Sequence, residues 1–355
     1  MKTTSVRDRV YSDLKARIGD GAFPLGESLP SLRDLSQRYA TSVGTIRQAL
    51  ERLQLEGTIE ARHGKGNFVA GDAQTAKSVM LIAELSGDLF QEFINGFGAA
   101  FNQRSDCHLL FERISPGRNS ENTRLLRERI ERLIRDGSLS AIVFDGTEFF
   151  DTDFLADYQD RVELVCFYND AKLSQFVCPA VVSDWFHGGY AGLRHLADAG
   201  CRRPLVITHR RDRYAQQNVV NTFLAGCHQA SADADLELLH LEHQAESDNY
   251  PLAFFELMQA HPEVDGIYAF ADFRMRPLLP VLRQLGRVVG EDIATLGYYD
   301  TAWAQAFEPA MSSVSVCPEQ IVAGVCERLF AGGSGRSHVQ IPPRIVVRDS
   351  SKLIR

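Results

Sequence analysis

Between Val79 and Gly297 the sequence alternates apolar runs of strand length with amphipathic helical stretches, and it does so twice. Nothing else in the chain constrains the fold as tightly. Strand-length runs at 79–85, 107–111, 141–144 and 162–167 are interleaved with helical stretches at 93–101 and 125–134. After Val181-Val182-Ser183-Asp184 the pattern restarts, with helices expected over 188–199, 220–231 and near 252–260, and strands over 204–208, 236–241, 266–270 and 293–297. Repeated strand–helix alternation implies a parallel sheet covered on both faces. Two such halves predict a two-lobed α/β body with a cleft between the lobes. Ligands of open α/β sheets sit outside the carboxyl ends of the strands.

The first seventy residues follow another period. Val6, Val10, Leu14 and Ile18 recur every four residues and place one stripe on one helix face. Gly19 to Gly26 breaks that helix, and Pro30 and Ser31 suit the start of a second, with Leu32, Leu35 and Tyr39 as its inner face. Ser42 can cap a third helix whose stripe is Ile46, Leu50 and Leu53, leaving Thr45, Arg47 and Gln48 to point elsewhere. Two short helices joined by a tight turn form a helix-turn-helix. The β-prone runs 57–61 and 66–70, joined by Arg62-His63-Gly64-Lys65, read as a hairpin, or wing. The small, polar residues 71–77 read as a linker. The expected organisation is a winged helix-turn-helix at 1–70, a linker at 71–77 and a two-lobed body at 78–355 that binds an effector and dimerises.

The formal net charge of -8 would on average repel phosphates, but it is unevenly placed. Residues 1–75 hold eleven basic against nine acidic side chains, and the other 280 hold 27 against 37. The seven cysteines are scattered with no C-x-x-C, and no run of eighteen uncharged apolar residues occurs. A cytoplasmic protein with reduced thiols is expected.

The run GAFPLGESLPSLRDLSQRYATSVGTIRQALERLQLEGTIEARHGKGNFV resembles, nearly end to end, the DNA-binding domain of the GntR family of bacterial transcription regulators. The resemblance covers roughly residues 3–70. It implies DNA contacts from Arg33, from Ser42, Gly44, Thr45 and Arg47 at the start of the third helix, and from His63, Gly64 and Lys65 at the wing tip. Relatives often carry Arg where this chain has Val43. The residue types suit these roles: guanidinium forks reach base edges or phosphate, hydroxyls and helix N-termini bind phosphate, and glycines permit close backbone approach.

Residues 78–350 resemble the LacI/GalR-type effector domain, itself similar to periplasmic sugar-binding proteins, through VVSDWFHGGYAGLRHLADAGCRRPLVIT, GIYAFADFRMRPLLPVLRQLGRVVGEDIATLGYYDT and IPPRIVVRDSS. A GntR-type head on such a body is the combination typified by arabinose-responsive repressors. The resemblance implies interlobe crossings near Asp184, near Thr301 and before Val339. It also exposes two departures. Val219 stands where the family commonly places Arg, and Tyr299 stands where it commonly places Asp, with Asp300 one residue later. Those two charges chelate sugar hydroxyls, so an ordinary pentose or hexose effector is not expected. The cleft candidates are Asp88, Phe90, Asp145, Asn169, Asp184, Arg210, Arg213, Asp272, Tyr299 and Trp303. Asp184 and Asp272 could equally cap helices, and Phe90 could be core.

Catalytic readings fare poorly. His240 and His243 lack an H-E-x-x-H context or a third ligand, and the acidic run 148–160 reads as a solvated loop and helix face. Gly64-Lys65-Gly66 lacks the rest of a phosphate loop, and no G-x-S-x-G or Rossmann glycine pattern occurs. No catalytic residue, metal or cofactor is expected. The sequence therefore points to a transcription regulator, a repressor, that binds a palindromic operator as a homodimer and senses a small molecule. The alternative is a DNA-binding protein whose body only dimerises and has lost ligand sensing.

Overall fold

In a computed structural model of the chain, the described residues are 6–19, 21–24, 26–55, 57–62, 66–69, 77–83, 88–104, 106–113, 120–146, 153–169, 178–210, 214–244, 250–330 and 338–352. The wing tip His63-Gly64-Lys65, linker residues 71–76 and Arg213 lie outside them.

The amino-terminal part contains α1 (Val6–Gly19), α2 (Leu32–Arg38), α3 (Val43–Leu55) and the antiparallel hairpin β1 (Ile59–Arg62) and β2 (Gly66–Val69). Its core joins Val10, Leu14 and Ile18 of α1 to Leu35 of α2, Ile46, Leu50 and Leu53 of α3, and Ile59 and Val69 of the hairpin. The α1 stripe starts one turn later than its spacing predicts: Val6 is exposed, whereas Tyr11 joins the core. Leu32 and Tyr39 pack only partly buried against it. Ser31 caps α2 in a reciprocal box with Asp34: its hydroxyl accepts from the Asp34 N–H at 3.3 Å, and its own N–H donates to the Asp34 carboxylate at 3.2 Å. The chain before α2 extends the hairpin, since the Gly26 N–H donates to the Val69 carbonyl and the Leu29 N–H to the Asn67 carbonyl.

The remaining chain builds two six-stranded sheets. The first contains β3 (Lys77–Ala83), β4 (Cys107–Arg113), β5 (Leu139–Asp145), β6 (Glu163–Tyr168), β7 (Ala180–Ser183) and β13 (His338–Ile341), in the order β13-β7-β6-β5-β3-β4. Helices α4 (Asp88–Asn102), α5 (Ser120–Arg135) and α11 (Pro318–Phe330) accompany it. The second contains β8 (Pro204–Arg210), β9 (Leu239–Gln244), β10 (Gly266–Ala269), β11 (Ala294–Tyr298), β12 (Ser312–Ser315) and β14 (Arg344–Val346), in the order β14-β12-β11-β10-β8-β9. With it go α6 (Trp185–Asp198), α7 (Tyr214–Ala234), α8 (Tyr250–Ala260), α9 (Leu279–Gln284) and α10 (Ala302–Ala306). The expected class, a winged helix-turn-helix followed by a two-lobed α/β body, is the class observed.

Three details depart from expectation. The second sheet is not wholly parallel, because β14 runs antiparallel to β12 along its edge. Nor does the chain change lobes near Thr301. That residue is tied to Asp272 of the same lobe, and β12, which follows it, still pairs with β11. The second crossing comes at Val316-Cys317, before α11, and the third follows β13, at Pro342-Pro343. In the acidic run, Phe154, Leu155 and Tyr158 are buried in a short 3-10 helix, so only part of it is a solvated face.

Helices α6 and α7 cross at backbone distance. A Cβ on Gly189 would lie 2.0 Å from the Phe223 carbonyl oxygen, and one on Gly226 2.0 Å from that of Phe186. Two more glycines of α6 seat the helix on tyrosine rings, Gly188 on Tyr298 and Gly192 on Tyr268.

Candidate functional site

Two polar regions carry the chemistry. In the amino-terminal part, Arg33 in the first turn of α2 and Arg47 in α3 stand exposed, two residues and one residue from the buried Leu35 and Ile46 that fix their helices. Ser42 precedes α3, its hydroxyl accepting from the Thr45 N–H at 3.1 Å and lying 2.9 Å from the Thr45 hydroxyl. A Cβ on Gly44 would meet only Ser42 Oγ, at 3.7 Å, an ordinary contact. Other arginines here are committed internally: Arg52 pairs with Asp8 and lies over Tyr11, and Arg62 pairs with Glu60 and lies over Phe68. The predicted contacts Arg33, Ser42, Gly44, Thr45 and Arg47 thus share one helix-turn-helix. The residues flanking the wing tip, Arg62 and Gly66, are paired across the hairpin.

The second region lies at the carboxyl ends of the body's strands. Asp145 ends β5 and is buried, Asn169 follows β6 and is buried, and Asp184 follows β7. Asp184 caps α6, accepting from the His187 N–H at 2.9 Å. Asp272 is wholly buried and its oxygens are taken: Oδ1 accepts from Ser313 Oγ at 2.6 Å, Oδ2 from the Thr301 N–H at 2.7 Å and the Thr301 hydroxyl at 2.9 Å. Burial pushes its carboxyl up to about 6, against the pull of those donors. It ties strand ends of one lobe together. Asp300 forms an ion pair with Arg348 at 2.7 Å. Trp303 on α10 lies beneath the Arg276 guanidinium, 5.2 Å from its ring centroid. The side chains of Asp88 and Arg210 lie outside the described residues.

Phe90 and Tyr299 meet aromatic residues that the sequence reading passed over. Phe90 packs edge-on to Tyr168 with centroids 5.8 Å apart, and Tyr168 packs edge-on to Trp185 at 5.3 Å. Trp185 in turn stacks on Tyr298 at 5.8 Å and meets Tyr299 edge-on at 6.4 Å. Trp185 thus touches both Tyr168 and Tyr299, which brings the end of β11 to the end of β6. Burial holds the Tyr168 and Tyr298 phenols well above their ordinary range, so both are neutral. Tyr168 and Tyr299 adopt φ of 69° and 96°, and Ala271, after β10, 120°. Such φ values are strained for residues with a side chain and cluster at ligand clamps and switches. Tyr168 and Trp185 were legible only as core hydrophobes. The one available signal was their place at strand ends.

Serine–histidine proximity also occurs, with His195 Nε2 2.8 Å from Ser351 Oγ. Ser351 is buried and its hydroxyl lies 2.7 Å from that of Ser312, while burial lowers the His195 pKa. With Ser351 buried, this is an internal tie between α6 and the turn at Asp349–Ser351.

The model of Bacterial regulatory proteins, gntR family, matches residues 6–69, and that of Periplasmic binding protein-like domain matches residues 193–351. The chain is 22% identical over 362 residues to the arabinose metabolism transcriptional repressor of Geobacillus stearothermophilus, covering 98% of this chain and 97% of that protein. It is 21% identical over 376 residues to the protein of the same name from Halalkalibacterium halodurans, with 96% and 95% covered. Among solved structures, a LacI family transcriptional regulator from Enterococcus faecium with bound ribose has a TM-score of 0.60 at 16% identity, over 79% of this chain and 100% of that one. Among the described residues no helix is long and apolar enough to cross a membrane. The chain therefore joins a GntR helix-turn-helix domain to a periplasmic-binding-protein-like domain that shares its fold with LacI family regulators, and is a transcriptional repressor-type regulator rather than an enzyme.

Proposed function

We propose that the chain binds a palindromic operator as a homodimer through residues 1–70, and that residues 78–355, beyond a linker at 71–77, dimerise and sense a small molecule between their lobes. The observation that carries the DNA reading is the exposure of Arg33 and Arg47 on two helices whose inner faces share one core. Both guanidiniums are held on rigid elements, as direct readout requires. His63, Gly64 and Lys65 complete the proposed contact set at the wing. For sensing, the supporting observation is the strained, aromatic meeting of the two lobes at Tyr168 and Tyr299. The arabinose repressors that the chain resembles suggest ligand-relieved repression. Binding can shift operator affinity only if open and closed lobes differ in affinity for the ligand.

One observation favours the alternative, a body that only dimerises: Asp272 has both oxygens engaged within the protein and is closed to a ligand. A thermal-shift screen with a broad metabolite panel separates the two, since a ligand at a hundred times its Kd adds about 2.7 kcal/mol to the folded state. A panel that shifts nothing supports the dimerising body. Fluorescence anisotropy on an operator recovered by in vitro selection tests DNA binding, and unchanged affinity after replacing both arginines would remove them from the interface.

A further inference from the structure

Helix α3 has two faces. Ile46, Ala49, Leu50 and Leu53 are buried in the core of the amino-terminal part, and the opposite face carries Val43, Gly44, Arg47, Gln48 and Glu51, all exposed. Residues four apart lie one above the other on a helix. Val43 therefore stands one turn before Arg47, and Gly44 one turn before Gln48.

Two residues of the outward face are not polar, and internal packing explains neither. Val43 opens the helix with 37% of its surface exposed, and it belongs neither to the core cluster nor to the side chains packed against it. Helix propensity does not select it, because a β-branched side chain loses rotamer freedom there. Glycine is a poorer helix former than alanine, yet a Cβ on Gly44 would meet only Ser42 Oγ, at 3.7 Å, and the residue has no positive φ that would require glycine. The fold has room for a methyl group that the sequence leaves out. A short apolar side chain beside a bare stretch of backbone suits a surface that another body approaches closely.

The recognition helix of a helix-turn-helix presents its N-terminal residues to base edges in the major groove. Valine can neither donate nor accept a hydrogen bond there, and the one apolar group on those edges is the C5-methyl of thymine. Resting on the reading of residues 1–70 as the operator-binding part, we propose that Val43 reads a thymine methyl in each half-site, and that Gly44 lets α3 sit deep enough in the groove for so short a side chain to touch it. Withdrawing one methyl group from water is worth about fourfold in affinity.

The test is fluorescence anisotropy with the full chain on an operator obtained by in vitro selection. Each thymine is replaced in turn, symmetrically in both half-sites, by 2′-deoxyuridine, which removes the C5-methyl and keeps every hydrogen-bonding group. One such replacement should weaken binding by about tenfold, as two methyl contacts are lost. Val43→Ala should weaken the thymine operator by a similar factor and bind the thymine and uracil operators equally, to within about twofold. Gly44→Ala, for which the fold has room, should keep the thermal unfolding midpoint and lose at least about fivefold in affinity, because the new methyl comes between helix and groove. If no thymine responds, or if the response survives in Val43→Ala, the proposal is overturned while operator binding itself stands. Unchanged affinity in Gly44→Ala overturns it too, since the close approach is then absent. Failure of the full chain to select any operator overturns both the proposal and the operator reading.

Discussion

The amino-terminal helices and the interlobe cleft are both polar regions on packed scaffolds, but they are specified over different distances along the chain. Around α2 and α3 each structural device spans a few residues. Ser31 pairs with Asp34, Ser42 with Thr45, and the exposed arginines sit within two residues of the leucine or isoleucine that anchors their helix. In the cleft, the Asp184 cap of α6 apart, these ties are long-range: Asp272 holds Thr301 and Ser313, Trp185 meets both Tyr168 and Tyr299, and Tyr268 donates to the Gly188 carbonyl at 2.8 Å. Short-range specification leaves a surface free to contact a partner. Long-range specification consumes its own polar groups in holding the site together, and what remains is set by aromatic packing.

The strongest test of that contrast is at the α6–α7 crossing. Gly189→Ala should destabilise the body by about 3 kcal/mol, because the new methyl meets a carbonyl rather than a movable side chain. Urea unfolding would show it as a lower midpoint, and a change within error would mean that the helices can separate freely.

Almost as large an effect is expected at Asp272. Its folded pKa of about 6 lies above the unfolded value of 3.8, so the protonated form is favoured by folding. That contribution is full below about pH 4 and is lost as pH rises through 6, a span worth about 3 kcal/mol. Unfolding midpoints from pH 4 to 7 should therefore carry a component falling with pH that Asp272→Asn removes. A wild type and variant with parallel profiles would show that the three donors outweigh burial.

Smaller effects are predicted for the helices. Arg33→Ala and Arg47→Ala should each cost about 1 to 3 kcal/mol in operator affinity without lowering stability, and binding should weaken steeply with salt. Anisotropy titrations at two salt concentrations measure both. Ser31→Ala should cost only about 1 kcal/mol of stability, because it removes a single cap. Circular dichroism on thermal melting reads that loss, and a cost several times greater would mean that the α2 start is held by more than its own box.

The same difference in range explains what the sequence disclosed. The helix-turn-helix, its caps and its hairpin were legible because period, cap and turn are local signals. The strand–helix alternation gave the two sheets, with errors of a few residues at most ends. It did not give the antiparallel β14 or the crossing at Val316-Cys317, which depend on which strand a segment pairs with. Asp272 was read as a cap or a ligand contact because Thr301 and Ser313, its partners, lie 29 and 41 residues away. Tyr168 and Trp185 looked like any other buried aromatics until the strand ends were brought together.

The position of β13 carries a consequence for synthesis. This strand, His338–Ile341, completes the first sheet by pairing with β7, and the Asp184 N–H donates to the Ile341 carbonyl. Strand β7 therefore leaves the ribosome more than 150 residues before its neighbour. At translation rates of about 5 to 20 residues per second, its edge stays open for roughly ten to thirty seconds. An apolar strand with unpaired backbone invites pairing with other nascent chains. A stop codon shortly before His338 should accordingly yield a product that aggregates or is degraded in the cell, even though nearly all of both lobes has been made.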